Sequence, residues 1–221
     1  NQQGLDIGSQ YRSVIFYYSD DQKNIAQQSK VDNQIFSLHN HFFFENSKLD
    51  VDLGYISNDR SELEDSPTPV LHFKLKTFNY NSKYHLPKFK NGIESILGLQ
   101  GMIQQNKNFG NEILIPNAKI NDIGMFYTVN KQFENSSLQA GIRFDARVLK
   151  TEKYVVIDGS NTKVFNSLDK NYTSFTGSLG YKLTLFNTIT TRINTASGFR
   201  APNLAELTSN GVHEGTNRYE I

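Results

Sequence analysis

Leu138-Gln139-Ala140-Gly141-Ile142-Arg143-Phe144-Asp145-Ala146-Arg147-Val148-Leu149-Lys150 alternates with a period of two almost to its end. Leu138, Ala140, Ile142, Phe144, Ala146 and Val148 share one parity; Gln139, Gly141, Arg143, Asp145 and Arg147 share the other. A period of two is strand geometry, because successive side chains leave a strand on opposite faces. One face is oily and the other carries charge. The stretch exceeds the usual globular strand of about 5–6 residues and reaches the roughly 9–11 that a tilted strand needs to cross a bilayer.

The same pattern recurs outward from this stretch. Leu49, Val51, Leu53 and Tyr55 oppose Asp50, Asp52 and Gly54; Ile189, Thr191 and Ile193 oppose Thr190, Arg192 and Asn194. Leu71, Phe73 and Leu75 read as an oily face opposite His72, Lys74 and Lys76, until Phe78 and Tyr80 fall on the polar parity. A bulge or inward-pointing aromatics account equally for that slip. Strands are expected near 32–44, 49–59, 70–85, 93–105, 120–133, 138–150, 172–184, 188–199 and 217–221, about nine in all. Residues 1–31 read as a surface loop, with room for a short strand at Val14-Ile15-Phe16-Tyr17-Tyr18.

Connection lengths alternate too. Short turns at 45–48, 86–92, 134–137 and 185–187 are interleaved with longer loops at 60–69, 106–119, 151–171 and 200–216. Short turns at one end of a sheet and long loops at the other are the asymmetry of outer-membrane barrels. Phe42, Phe43, Phe44, Tyr84, Phe89, Phe133, Tyr181 and Phe186 cluster beside the short turns, where rings suit a water–lipid boundary. The expected fold class is therefore all-β, an antiparallel transmembrane β-barrel of the outer-membrane type, present as a partial barrel.

Composition bounds what the chain does. Among 221 residues, 37% are hydrophobic and 20% charged, and no run approaches the roughly 18 apolar residues of a membrane helix. A net charge of +1 gives no field to attract nucleic acid. The absence of Cys excludes disulfides and thiolate metal sites. The first residues, Asn1-Gln2-Gln3-Gly4, carry no signal segment, and Tyr219-Glu220-Ile221 breaks off inside an expected strand, so the chain reads as a fragment. No nucleophile elbow, phosphate loop or zinc-protease helix is present, and the chain reads as a non-enzyme that requires no cofactor.

From Ala196 onward the sequence runs Ala-Ser-Gly-Phe-Arg-Ala-Pro-Asn-Leu-Ala-Glu-Leu, ending in Arg218-Tyr219-Glu220-Ile221. This closely resembles the C-terminal barrel signature of TonB-dependent outer-membrane receptors. Weaker matches fall in order at Val51-Asp52-Leu53-Gly54-Tyr55, Tyr84-His85-Leu86-Pro87, Gly98-Leu99-Gln100-Gly101-Met102, Ile113-Leu114-Ile115-Pro116 and Gly141-Ile142-Arg143-Phe144-Asp145. The resemblance implies a barrel of about 22 strands around a globular plug, located in the outer membrane and surrounded by its lipid. It further implies energy delivered by a TonB complex through an N-terminal segment. Neither plug nor coupling segment is visible in the sequence. Glu206-Leu207, Gly211-Val212-His213 and Thr216-Asn217 look most like the branch importing metals or metal chelates, so zinc, a ferric chelate such as a siderophore, or haem is the implied cargo. Zinc-type members often carry a His-rich outer loop, and the loop here has Asp59, Glu62, Glu64 and Asp65 instead.

His213 and Glu214, between Gly211 and Gly215, are candidates to contact a ligand, with His213 as the metal candidate; a solvated loop histidine is the bland alternative. Arg200 and Glu206 are further ligand candidates, though Pro202 starting a helical turn beside Asn203 and Glu206 reads first as structural support. His39 and His41 share one strand face about 6–7 Å apart, a spacing that permits chelation but equally permits ordinary hydrogen bonding. Asp50, Asp52, Lys74, Lys76, Arg143, Asp145, Arg147 and Arg192 are expected to face the lumen with the two histidines, because charge towards lipid is costly. Two other readings remain open: a passive porin-like or structural barrel, and a soluble carbohydrate-binding sandwich.

Overall fold

The computed structural model describes residues 3–16, 27–63, 68–110, 113, 115–158, 161–186, 188–208, 211–213 and 218–220. In chain order its elements are β1 (Gln3–Phe16), β2 (Gln27–Phe43), β3 (Lys48–Leu63), β4 (Leu71–His85), β5 (Ile93–Asn108), β6 (Ala118–Gln132) and β7 (Ser136–Thr151). There follow β8 (Tyr154–Asp158), β9 (Asn161–Phe165), β10 (Asp169–Leu185), β11 (Ile189–Ala196), α1 (Leu204–Thr208), β12 (Gly211–His213) and β13 (Arg218–Glu220). Nine strands form one sheet in the order β1-β2-β3-β4-β5-β6-β7-β10-β11, every pair antiparallel. The hairpins β8–β9 and β12–β13 stand apart from it.

The register separates two environments. One row across the sheet runs Asn40–Val51–Ser82–Leu99–Met125–Phe144–Phe175. The adjacent row, on the other face, runs His39–Asp52–Asn81–Gln100–Gly124–Asp145–Ser174. Following the first parity along each strand gives a band with no charged side chain, for example 49–57 on β3, 97–105 on β5 and 136–148 on β7. Among the described residues nothing covers this band: Met125 is 51% exposed, Phe144 46% and Phe175 70%. The buried hydrophobic residues among those described (Leu71, Ala118, Ile120, Leu149 and Leu204) belong instead to the opposite face and to α1. A soluble sandwich buries its oily face against a second sheet, and among the described residues this sheet has no such partner. The geometry is that of a barrel wall.

Short connections lie at one end. Phe44 donates to the Ser47 carbonyl at 2.9 Å, Phe133 to that of Ser136 at 2.8 Å, and Thr188 to that of Leu185 at 3.0 Å. Gly92, at φ 79°, closes the β4–β5 turn in the left-handed region that glycine enters freely. Phe43, Phe44, Phe89, Phe133, Tyr181 and Phe186 are all exposed at this end.

Several expectations are corrected. Within the stretch 1–31 expected as a loop with a short strand, the described residues are strands: β1 covers Gln3–Phe16 and pairs along its whole length with β2, which begins at Gln27 rather than near 32. Backbone pairing tolerates the serines and glutamines that dilute the alternation there. The ninth strand of the sheet is this β1, whereas the described residues of the expected strand at 217–221 form β13, paired with β12. The loop at 151–171 contains the β8–β9 hairpin, and β10 starts earlier than expected, at Asp169. On β4 the register is unbroken, so there is no bulge; Phe78 and Tyr80 lie on the oily face, and Leu71, Phe73 and Leu75 lie on the polar one. Lys74 and Lys76 consequently leave the sheet on the oily side, not with the other charges expected beside them.

Candidate functional site

The polar face is a field of ion pairs built by the register. At the short-turn end, β3 Asp50 accepts from His41 Nδ1 at 2.6 Å on β2 and from His85 Nε2 at 2.8 Å on β4, and it pairs with Lys48 at 2.9 Å. Asp52 accepts from His39 Nδ1 at 2.9 Å and from Asn81 at 3.0 Å. A carboxylate only accepts, so each imidazole presents an N–H to it. His39 and His41 therefore share a face as expected but take separate carboxylates. Among the described residues no group of three or more His, Asp or Glu is arranged to hold a metal.

Farther along the face, Arg147 on β7 donates to both oxygens of Asp122 on β6, at 2.7 and 2.6 Å, and to the Pro202 carbonyl at 3.2 Å. Arg143 chelates Asp145 two residues on, with Nε at 2.6 Å. Their side chains lie over Gly124, where an added Cβ would sit 2.3 Å from Arg143 Nη2. Gly98 likewise leaves room for the Phe126 ring, over which Arg143 stands 5.8 Å from the centroid. Glycine here provides space, so large side chains lie flat across the wall. Arg192 on β11 shares the face, opposite Lys182 in register. Of the ten residues expected on one face, His39, His41, Asp50, Asp52, Arg143, Asp145, Arg147 and Arg192 share it, and Lys74 and Lys76 do not.

The Gly-Phe-Arg-Ala-Pro box folds back onto this face. Asn203 Oδ1 accepts from the Glu206 amide at 2.8 Å, and Glu206 Oε2 accepts from the Asn203 amide at 2.8 Å. This is a reciprocal capping box, and it makes Asn203, not Pro202, the residue that starts α1. Arg200 grips the same carboxylate, Nη2 to Oε1 at 2.8 Å. The Arg200 hydrogen bond, and after it the Asn203 amide, holds the Glu206 carboxyl below its ordinary range. Leu204 is buried against Ala118, Ile120 and Leu149, with Leu207 packed alongside. Beneath the box is a recess of about 540 Å³ between Asn81, Gln100, Asp122, Arg143, Arg147 and Phe199.

Of the ligand candidates, Arg200 and Glu206 are thus paired with each other. His213 lies on β12 in register with Arg218, but its side chain, like Glu214, is outside the described residues. The sequence reading missed His85, Lys48 and Asp122 as members of the polar network. Parity alone placed them, and nothing in their local sequence names their partners.

Comparison with known proteins agrees with this geometry. A solved structure of the Serratia marcescens hemophore receptor HasR, a double mutant in complex with its hemophore HasA and heme, superposes with a TM-score of 0.66. That match covers 97% of this chain and 36% of HasR at 11% identity, so it speaks for the fold alone. Two short local matches are to peptide methionine sulfoxide reductases MsrA. One, from Methanothermobacter thermautotrophicus, is 60% identical over 30 residues, 14% of this chain and 18% of the reductase. The other, from Sulfolobus acidocaldarius, is 61% identical over 28 residues, 13% and 16% of the two chains. The chain therefore spans well under half of each of these proteins, and the reductase matches are too short to describe a strand meander of this length. Residues 1–221 match, end to end, the family described as TonB dependent receptor-like, beta-barrel, and the chain belongs to that family.

Proposed function

We propose that this chain forms part of the wall of an outer-membrane receptor that takes up a scarce nutrient, with energy coupling through a TonB complex. The observation that carries the proposal is the division of one sheet into a face with an uncharged oily band and a face of interlocked ion pairs. The first suits lipid, and the second suits a wet lumen holding a plug. His39, His41, Asp50, Asp52, Arg143, Asp145, Arg147 and Arg192 are then lumen-facing, and their network docks the plug and lines the route past it. The cargo class is a metal ion, siderophore or haem. HasR, whose fold this chain shares, was solved with its hemophore and heme, which keeps haem in that class without singling it out. No covalent chemistry is required, and no resident cofactor enters the reading.

Uptake of zinc, ferric chelates and haem, measured in cells carrying the complete receptor with and without an intact TonB complex, tests this. One cargo is expected to accumulate only when the complex is intact. Uptake that persists without it would overturn the coupling and favour a passive barrel. A His213→Ala arm is expected to weaken binding of the accepted cargo while the barrel still assembles. Unchanged affinity removes His213 from the ligand site.

A further inference from the structure

On the oily side of the sheet, just beyond the uncharged band at the long-connection end, five lysines gather: Lys74, Lys76, Lys107, Lys119 and Lys150. Register sets Lys74 directly opposite Lys107, and Lys119 directly opposite Lys150. Lys76 joins the second pair through Gln105, in the row Lys76–Gln105–Lys119–Lys150. Like charges facing each other across strands are destabilising in isolation. The acids at the margins do not neutralise the group. Asp59 serves Lys74 at 3.3 Å and also His72 at 2.9 Å, and Asp169 serves Lys150 at 3.0 Å. Lys76, Lys107 and Lys119 are exposed and make no ion pair among the described residues.

Position gives the cluster its meaning. Lys76 is two residues from Phe78, and Lys119 and Lys150 are two residues from Asn121 and Val148, the last positions of the uncharged band. At the other border of the band, on the same face, only Lys131 appears among the described residues, and it is engaged with the Phe133 ring at 5.4 Å. Lysines at the edge of a hydrocarbon zone extend their ammonium groups to headgroup level. Closely spaced ones attract anionic lipid.

We propose that this lysine cluster is a docking surface for the phosphate groups of lipids in the leaflet at the long-connection end, the anionic headgroups supplying the charge that the paired lysines lack. It rests on the membrane placement proposed above but not on the identity of the cargo or on energy coupling.

The test uses the complete receptor, stripped of lipid in detergent, and reads its thermal unfolding midpoint and its retained lipid by native mass spectrometry. Phosphorylated lipid A in mixed micelles is expected to raise the midpoint. The same lipid after dephosphorylation, or inorganic phosphate alone, is expected not to. In the K76Q/K107Q/K119Q variant, affinity for the phosphorylated lipid is expected to fall about a hundredfold at low salt and its salt dependence to weaken. K76R/K107R/K119R keeps the charge and is expected to retain binding, which separates a lost site from a misfolded barrel. Equal stabilisation by the dephosphorylated lipid, or by inorganic phosphate, would overturn the proposal. So would full binding by the glutamine variant. TonB-dependent uptake is measured separately, so either proposal can fail while the other stands.

Discussion

Arg147 holds both carboxylate oxygens of Asp122, at 2.7 and 2.6 Å, from the neighbouring strand. Its remaining nitrogen, Nη1, donates to the Pro202 carbonyl at 3.2 Å, so one guanidinium ties the wall to the segment that crosses over it. Both side chains are about four-fifths buried, at 22% and 23% exposure. Bidentate geometry is something Lys cannot reproduce. Arg147→Lys is expected to free the box from the wall, and Arg147→Ala to cost about 1–3 kcal/mol, less than a fully buried pair because water reaches the site. Limited proteolysis around Pro202 reads the first effect. A double-mutant cycle with Asp122→Ala reads the second, and additive energies would show that the two residues do not cooperate.

Two glycines on the oily face make a matched pair. A Cβ on Gly101 would lie 2.2 Å from the Asp122 carbonyl oxygen and 2.3 Å from the Tyr80 hydroxyl, which itself donates to that oxygen at 3.2 Å. A Cβ on Gly177 would meet only the Gly141 carbonyl at 3.6 Å, an ordinary contact. Gly101→Ala must move backbone, because the oxygen is fixed in the ladder, and should destabilise the barrel by about 1–3 kcal/mol. Gly177→Ala should change stability by less than about 0.5 kcal/mol. Equilibrium unfolding in lipid vesicles compares them, and equal effects would mean that the Tyr80–Gly101 packing is not formed.

How much of this was legible in the sequence depends on where each residue sits relative to the band. On β7 the alternation from Leu138 to Val148 is legible because both faces keep one environment over that span. On β4 the same logic failed at Leu71, Phe73 and Leu75. That end of the strand rises past the band, where the outer side carries Lys74, Lys76 and, across from Lys74, Asp59, and the inner side includes Leu71 at 3% exposure. Parity keeps its geometry there while its meaning inverts. Which carboxylate takes which histidine was not legible either. Asp50 meets His85 only because the turns fix Lys48 opposite His85 and Asp50 opposite Lys83, and turn length sets that offset, not the strands. The Asn203–Glu206 cap is half legible: the residue types signal a helix start, but the sequence points to Pro202 as the starting residue and the hydrogen bonds to Asn203.

The box should respond to acid. Glu206 has its carboxyl held down by Arg200 first and the Asn203 amide second. A carboxylate with a folded-state value below its unfolded one contributes stability that is fully present above the unfolded value. That contribution is lost as pH falls through the lowered, folded value. Docking of 200–208 should therefore be constant through neutral pH and weaken only below the ordinary carboxylate range. Hydrogen exchange of the Asn203 and Glu206 amides, whose acceptors are 2.8 Å away, follows it. Glu206→Gln keeps the acceptor but removes the charge, so it should abolish the acid transition and leave part of the protection. Protection lost at the same pH in that variant would assign the transition to another group.

The two faces of the sheet should differ most sharply in their tolerance of charge. Met125 sits mid-band, flanked in register by Leu99 and Phe144 and 51% exposed. Ser178 lies on the other face, opposite Gly141 and Ala196. In water both substitutions to Arg would be innocuous, because each side chain has room to extend. In hydrocarbon Met125→Arg should cost about 2–4 kcal/mol, whereas Ser178→Arg should stay within about 0.5 kcal/mol. Folding yield into vesicles, read by heat-modifiable gel mobility, measures both. The difference isolates the solvent rather than the side chain, since charge and size are the same in the two variants. Equal tolerance would mean that water bathes both faces, and a sheet bathed on both faces is no barrel wall.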